Sequence, residues 1–510
     1  MPRNKLTNVL KTGAFALALV FSLGAAGEIC GSFFDTTAAA FDSRFPDNRE
    51  EDVVAVLREL GAPQSDVRPA NSSGKPLAVL LTEGNPRTLR AYDMAGGQPL
   101  WSISPPVQSE LTIQGDLLIF QSGQSIVGHG LLDGRELWRV DLEAGWEYFG
   151  AAVSGGTAVV AVGVGGQEAG AYGFGRLIGL KAATGGRKWT IPSGGGLLGT
   201  PAIHNGLVFV PWDRQKIAVI RVEDGTEIAR VRAEDFIINY LEAGPAGVYY
   251  GSNATPGTLA SLVRLDAKAV SGSKAGSSFW EPSLEPVPGD PGFMRDGFSR
   301  PIGSRSAAEK IRFHWKPAAD PTQPIGMANG AYYMHYWKFV IAFDAATSRV
   351  RWTYNSPKDI ESVDAVAGGI VGVDTDGRMF LVDATSGQEI WSLETGFKVL
   401  TGVFDANGFQ PSGGGGGAAD PLIGLKELLW DKDNRMLPIR SYAAFLMADI
   451  PTPEVTRDLL AIYSDAQIPK GLRDTVVRAL KKRTTGAQYL VDALHMRFDF
   501  LERTQAPPMG

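Results

Sequence analysis

MFLVDATSGQEIW, residues 379–391, runs as an apolar strand to Asp383, a small polar turn closed by Gly387, three further residues, and Trp391. The same unit recurs along the chain. LRAYDMAGGQPLW sets Asp93, Gly97 and Trp101 four residues apart, and VGHGLLDGRELW gives Gly134 and Trp138 with Gly130 at the Asp position. IGLKAATGGRKW supplies Gly185 and Trp189, whereas IAVIRVEDGTEIA keeps Gly225 but carries Ala229 where Trp is expected. VIAFDAATSRVRW has Asp344 and Trp352 with Ser348 replacing Gly, and LVRLDAKAVSG around Asp266 is a degenerate copy.

The spacing identifies one supersecondary unit per copy. Trp101 to Trp138 is 37 residues, Trp189 to Ala229 is 40, and Trp352 to Trp391 is 39. Four short strands with tight turns fill that length, the period of a propeller blade. Upstream of these hairpins lie further strand pairs, LTIQGDLLIF, AVSGGTAVVAV, IHNGLVFVPW and AVAGGIVGVD, with Gly, Asn or Asp in their turns. A lone four-stranded blade cannot cover both its faces, so it must stack in a ring. Each Trp offers roughly 150–250 Å² to such a seam, at most about 4–6 kcal/mol. The Asp accepts hydrogen bonds from turn amides and the Gly relieves φ strain, so these side chains read as structural.

This repeat resembles the PQQ-type propeller repeat of quinoprotein alcohol dehydrogenases and of BamB-type outer-membrane assembly lipoproteins, over roughly Leu77 to Phe409. The resemblance implies a mainly β fold, a propeller of seven blades with eight as the other count. It also implies a binding role with an assembly partner, and no partner-contacting motif carries over. The dehydrogenases of this resemblance hold PQQ with calcium and an Asp base under a disulfide of adjacent cysteines. Cys30 is the sole cysteine here, so that disulfide cannot form.

The rest of the chain divides around the propeller, which is set at residues 71–411. Arg3, Lys5 and Lys11 precede the short apolar run from Gly13 to Gly27, the layout of a secretory signal or anchor within residues 1–30. Cleavage after Ala26 would release a soluble protein, and Cys30 is a candidate lipidation position. Residues 31–70 form a tether with a short amphipathic helix at EDVVAVLRELGAP. Residues 271–324 are a long insertion in which Phe279, Trp280, Phe293, Phe298, His314 and Trp315 stud a Ser/Gly/Pro-rich loop. The aromatics of that loop are candidates for anchoring a partner. Residues 412–419 are a Gly-rich linker. Beyond it, residues 420–510 change to a period of about 3.6 in LIGLKELLWD, IRSYAAFLMADI, EVTRDLLAIYSD, GLRDTVVRALKKR and AQYLVDALHMRFDFLE. This arrangement resembles HEAT repeats, a small helical solenoid, with Arg440 and Arg473 at matching positions.

No chemistry emerges from the motifs. The net charge of −6 excludes a basic nucleic-acid footprint. The five His residues show no HxH or HExxH spacing, and no metal site is expected. DTDG at 374–377 is read as a hairpin turn in preference to a calcium loop. DKDN at 431–434 starts like an EF-hand loop but has Met436 where Gly is needed and Tyr442 where Glu is needed. The glycine run from Gly163 to Gly175 leads into a strand, so it is no dinucleotide fingerprint. Neither catalytic residues nor a cofactor is expected. The expectation is a non-enzymatic scaffold in the periplasm or at the outer membrane, attached to the membrane only through its N-terminus, with envelope or outer-membrane assembly proteins as partners. A ligand-sensing propeller that binds a small molecule or cell-wall material in its funnel is the alternative, and a PQQ-dependent dehydrogenase ranks third.

Overall fold

The computed structural model describes residues 71–164, 175–193, 198–204, 206–212, 216–232, 240–244, 247–251, 262–265, 311–314, 331–344, 349–366, 368–406, 409, 420–491 and 495. The expectations for Cys30, the tether, the insertion aromatics Phe279, Trp280, Phe293, Phe298 and Trp315, and the linker lie outside these residues.

The described residues form seven antiparallel sheets, six of four strands and one of three. The first holds β1 (Leu77–Thr82), β2 (Thr88–Asp93) and β3 (Gln98–Ile103). Its fourth strand, β27 (Val399–Asp405), comes from the far end of the β region and pairs with β1. Every other sheet is a meander of consecutive strands. The second contains β4 (Thr112–Gln114), β5 (Leu117–Ser122), β6 (Ser125–Gly130) and β7 (Glu136–Asp141). The third contains β8 (Glu147–Ser154), β9 (Thr157–Gly163), β10 (Gly175–Lys181) and β11 (Arg187–Pro192). The fourth contains β12 (Ala202–His204), β13 (Leu207–Trp212), β14 (Lys216–Arg221) and β15 (Glu227–Arg232). The three-stranded fifth has β16 (Tyr240–Gly244), β17 (Gly247–Gly251) and β18 (Leu262–Leu265). The sixth has β19 (Ile311–His314), β20 (Ala331–Tyr336), β21 (Phe339–Asp344) and β22 (Val350–Asn355). The seventh has β23 (Ile360–Val366), β24 (Gly369–Asp374), β25 (Arg378–Asp383) and β26 (Glu389–Glu394).

The sheets stack face to face. LAVLLT in β1, LLIFQS in β5, TAVVAVG in β9 and GIVGVD in β24 are buried at every position. That is why they read as unbroken apolar runs and not as alternating ones. Ile119 and Ile126 pack into the cluster shared with the third sheet, while Phe120 and Val127 pack into the one shared with the first. In the seventh sheet Phe380 and Val382 meet the sixth, and Met379 and Leu381 meet the first. The leading strands touch in turn: β4 with β8, β8 with β12, β12 with β16, β23 with β27, and β27 with β4. The sheets therefore radiate from a common centre, a propeller-like arrangement.

Beyond the sheets, the described residues include the helices α1 (Pro421–Leu429), α2 (Leu437–Met447), α3 (Pro453–Ser464) and α4 (Lys470–Lys482). Asp420 caps α1 by accepting the Leu422 amide at 2.9 Å, and Pro421 stands at the first position, where its missing N–H costs nothing. The two hairpins share a design. Asp431 accepts the Asp433 amide and Asp465 accepts the Gln467 amide, both at 2.8 Å. Arg440, fourth in α2, donates to the Leu429 carbonyl at 2.9 Å. Arg473, fourth in α4, donates to the Asp465 carbonyl at 3.0 Å. Each arginine thus supplies a donor to carbonyls stranded where the preceding helix ends.

Candidate functional site

The repeat side chains act between sheets. The Trp101 indole N–H donates to the Leu131 carbonyl in the second sheet at 2.7 Å, and Trp138 donates to Ala182 in the third at 2.8 Å. Trp189 reaches Val222 in the fourth at 2.9 Å, and Trp352 reaches Ala384 in the seventh at 2.7 Å. Each acceptor sits one residue past the Asp position of the next repeat. The glycine of that next repeat is where the indole rests: a Cβ on Gly134 would lie 2.8 Å from Trp101, and one on Gly387 would lie 2.6 Å from Trp352. Gly185 and Gly225 bear the same relation to Trp138 and Trp189.

Cross-strand partners obey the same size rule. Trp101, Trp138, Trp189 and Trp352 lie opposite Ala91, Gly128, Gly179 and Ala342. Ala229 lies opposite Val219. Trp391 lies opposite the larger Leu381, is only half-buried, and meets Phe409 edge-on with ring centroids 5.3 Å apart. At the seam back to the first sheet the space over Gly97 is filled by Leu393. Asp93 Oδ1 accepts the Ala95 and Gly96 amides, and its other oxygen meets Lys75 Nζ at 3.0 Å. Asp383 Oδ1 accepts the Thr385 and Ser386 amides and the Ser386 hydroxyl. The side chain of Asp344 falls outside the described residues.

Sequence reading missed a belt of hydroxyls that ties the leading strands together. Ser362 on β23 lies 3.3 Å from Thr401 Oγ1 on β27, and Thr401 donates to Glu110 Oε2 at 3.1 Å. Thr112 on β4 lies 2.7 Å from the Tyr148 hydroxyl on β8. Thr200, just before β12, donates to the Phe149 carbonyl on β8 at 2.7 Å. Burial pushes the Tyr148 phenol well above its ordinary value, so it stays a neutral hydrogen-bonding group. These hydrogen bonds link one leading strand to the next. The belt's members are common polar residues with no fixed spacing, which left no signal in the sequence.

Both calcium-like fragments are turns. Asp374 Oδ1 accepts the Asp376 and Arg378 amides, and Gly377 closes the β24–β25 hairpin with its amide on the Asp374 carbonyl. Asp431 pairs with Lys338 Nζ at 2.6 Å, and Asp433 pairs with Arg435, which also holds Asp359 at 2.7 Å. Among the described residues no three His, Cys, Asp or Glu side chains converge as metal ligands would. His129 and His335 each set a ring nitrogen against a backbone carbonyl, Gly134 at 2.8 Å and Trp337 at 2.6 Å. An open cleft of about 630 Å³ lies where the loops before β2, β4 and β8 meet, lined by Pro86, Arg87, Pro105, Pro106, Gln108 and Glu147 among others. None of the described helices is long and apolar enough to cross a membrane.

Radiating sheets, with the indoles of Trp101, Trp138, Trp189 and Trp352 keyed into the next repeat's turn, define a β-propeller of PQQ-like repeats. The family described as outer membrane protein assembly factor BamB matches residues 122–235 and 264–404, together half of the chain, and the chain belongs to that family. No curated protein matches it. Among solved structures, BamB from Moraxella catarrhalis is similar at 13% identity, covering 66% of this chain and 88% of its own, with a TM-score of 0.34. The quinohemoprotein alcohol dehydrogenase from Comamonas testosteroni is similar at 12% identity, covering 72% of each chain, with a TM-score of 0.38. Apo AztD from Citrobacter koseri is similar at 10% identity, covering 65% of this chain and 97% of its own, with a TM-score of 0.39. At these scores none of the three bears on chemistry.

Proposed function

We propose that the protein is a non-catalytic protein–protein scaffold of the bacterial cell envelope, working in outer-membrane protein assembly. In this reading the seven sheets are seven blades, the helical hairpins begin a HEAT-like solenoid, and the first 30 residues export or anchor the chain, with Cys30 as the lipid attachment point. Membership of the assembly-factor family carries the proposal, and the fate of the repeat side chains supports it. Every described repeat Trp, Asp and Gly is engaged in a seam or its own turn, and the axial hydroxyls are engaged with one another. Scaffolding then falls to the loops at the ring's ends and to the helical segment.

Affinity capture from cross-linked envelope extracts tests this. Recovery of outer-membrane assembly components is expected. Dye reduction with alcohols after addition of PQQ and Ca²⁺ would overturn the non-catalytic reading. A second reading is ligand recognition, for which the open cleft beside Arg87 and Glu147 is the candidate place. Capture of no protein, with saturable binding of a small ligand lost on Arg87→Ala, would replace the scaffold by that sensor.

A further inference from the structure

The helices are not placed as a free appendage. In the second and seventh sheets, alternate residues of the central strands divide between two neighbouring sheets. In the sixth sheet, among the described residues, the division runs between the seventh sheet and the helices. Val340 and Ala342 on β21 face the seventh sheet. Phe339 and Ile341, from the opposite face, join Trp337 in the core cluster formed by Leu422, Leu425, Met436, Tyr442, Leu459 and other helix residues. A helical core thus covers a sheet face whose counterparts elsewhere are covered by another sheet.

The charged contacts of the attachment lie in one turn and one loop, beside the apolar packing of α1 on β22. Tyr336 pairs with Phe339, which leaves Trp337 and Lys338 as a two-residue hairpin turn. Turns of that length favour Asn-Gly because they demand positive φ. Trp337 nevertheless adopts φ 54°, a conformation bulky residues avoid. Both residues of the turn grip the loop between α1 and α2. Lys338 Nζ pairs with Asp431 at 2.6 Å, and the Arg435 guanidinium lies 4.1 Å over the Trp337 ring while holding Asp359 of the seventh sheet's approach at 2.7 Å. Asp433 takes the other edge of the same guanidinium. On α1, Gly424 lies so close to Thr353 of β22 that any Cβ there would collide with it.

We infer that the helical segment is a clamp that walls off this face of the sixth sheet, held by the grip of Trp337 and Lys338 on residues 431–435. The scaffold then presents its ring and its helices in one fixed relation, with Asp431 docked on Lys338 of the propeller and Arg435, steadied by Asp433, docked on Asp359. The inference concerns contacts within one chain, so it stands or falls separately from the assembly role.

A site-specific protease sequence in place of Ser412–Gly417 permits the test: the folded protein is cut, and gel filtration reads whether the helical fragment stays with the ring. Co-elution is expected near 0.1 M salt. Asp431→Lys should speed release on the order of tenfold or more, since it sets two cations against each other. The swapped pair Lys338→Asp with Asp431→Lys should restore retention, which a merely misfolded variant would not do. Gly424→Val, which leaves all charges in place, should release the fragment as well. A fragment that leaves the unsubstituted ring at once would overturn the clamp, as would Asp431→Lys and Gly424→Val variants that both hold as tightly as the parent.

Discussion

At Gly134 two requirements coincide: a φ of 68° and a Trp101 indole that leaves no room for a Cβ. Gly74 has a similar φ of 64° but nothing within 4 Å of where a Cβ would stand. Gly74→Ala should therefore cost about 1 kcal/mol of conformational strain, and Gly134→Ala about 1–3 kcal/mol more through overpacking. Urea denaturation of the two variants reads the difference, and equal losses would contradict the seat. Asp93 adds a pH dependence. Burial raises its pKa, but Lys75 and the turn amides outweigh that and hold the carboxyl below its ordinary value. A depressed pKa stabilises the folded state above the unfolded value of about 4, and the contribution is lost as pH falls through the folded value. The stability gap between the parent and Asp93→Asn should be flat from pH 7 to 5 and shrink below about pH 4. The Asp–Gly–Trp triplet was legible because its spacing repeats. Its second use was not: the small residues opposite each indole, Ala91, Gly128, Gly179 and Ala342, gain meaning only once register is known.

Hairpins and helices repeat this contrast between local and distant causes. The 3.6 spacing placed α1 to α4 because each must bury one stripe, and Leu422, Leu425, Leu428 and Leu429 of α1 do so. What fixes the hairpins relative to one another is long-range. Arg483, just past α4, donates to the carbonyls of Met447, Ala448 and Ile450 at the end of α2 and of Thr452 before α3. Arg483→Met would keep the apolar stem and leave those carbonyls without their donor. A loss of about 2–3 kcal/mol is expected, with hydrogen exchange quickened at Ala448 to Thr452, and unchanged exchange there would count against this capping role. DKDN and Arg435 were visible as a loop, but the partner of Asp431, Lys338, and the partner of Arg435, Asp359, are remote in sequence and no local pattern names them.

For the molecule as a whole, counting tryptophans gave the repeats but not the closure. The first repeat lacks a leading strand of its own, and β27 supplies it from the end of the β region. The junction is sealed by Asn71, whose amide and side chain both donate to Asp405 Oδ2 at 2.9 and 2.6 Å, and by Ser72, whose amide donates to Asp116. The loops at the sheet ends keep their positions only while the sheets cannot splay. Val79 and Val403 face each other across β1 and β27. With Cys30 replaced by Ser, the pair Val79→Cys and Val403→Cys should form an intramolecular disulfide on mild oxidation during refolding, giving a monomer that runs faster on non-reducing gels. Free thiols or intermolecular dimers alone would mean that β1 and β27 are not neighbours and that the ring is open.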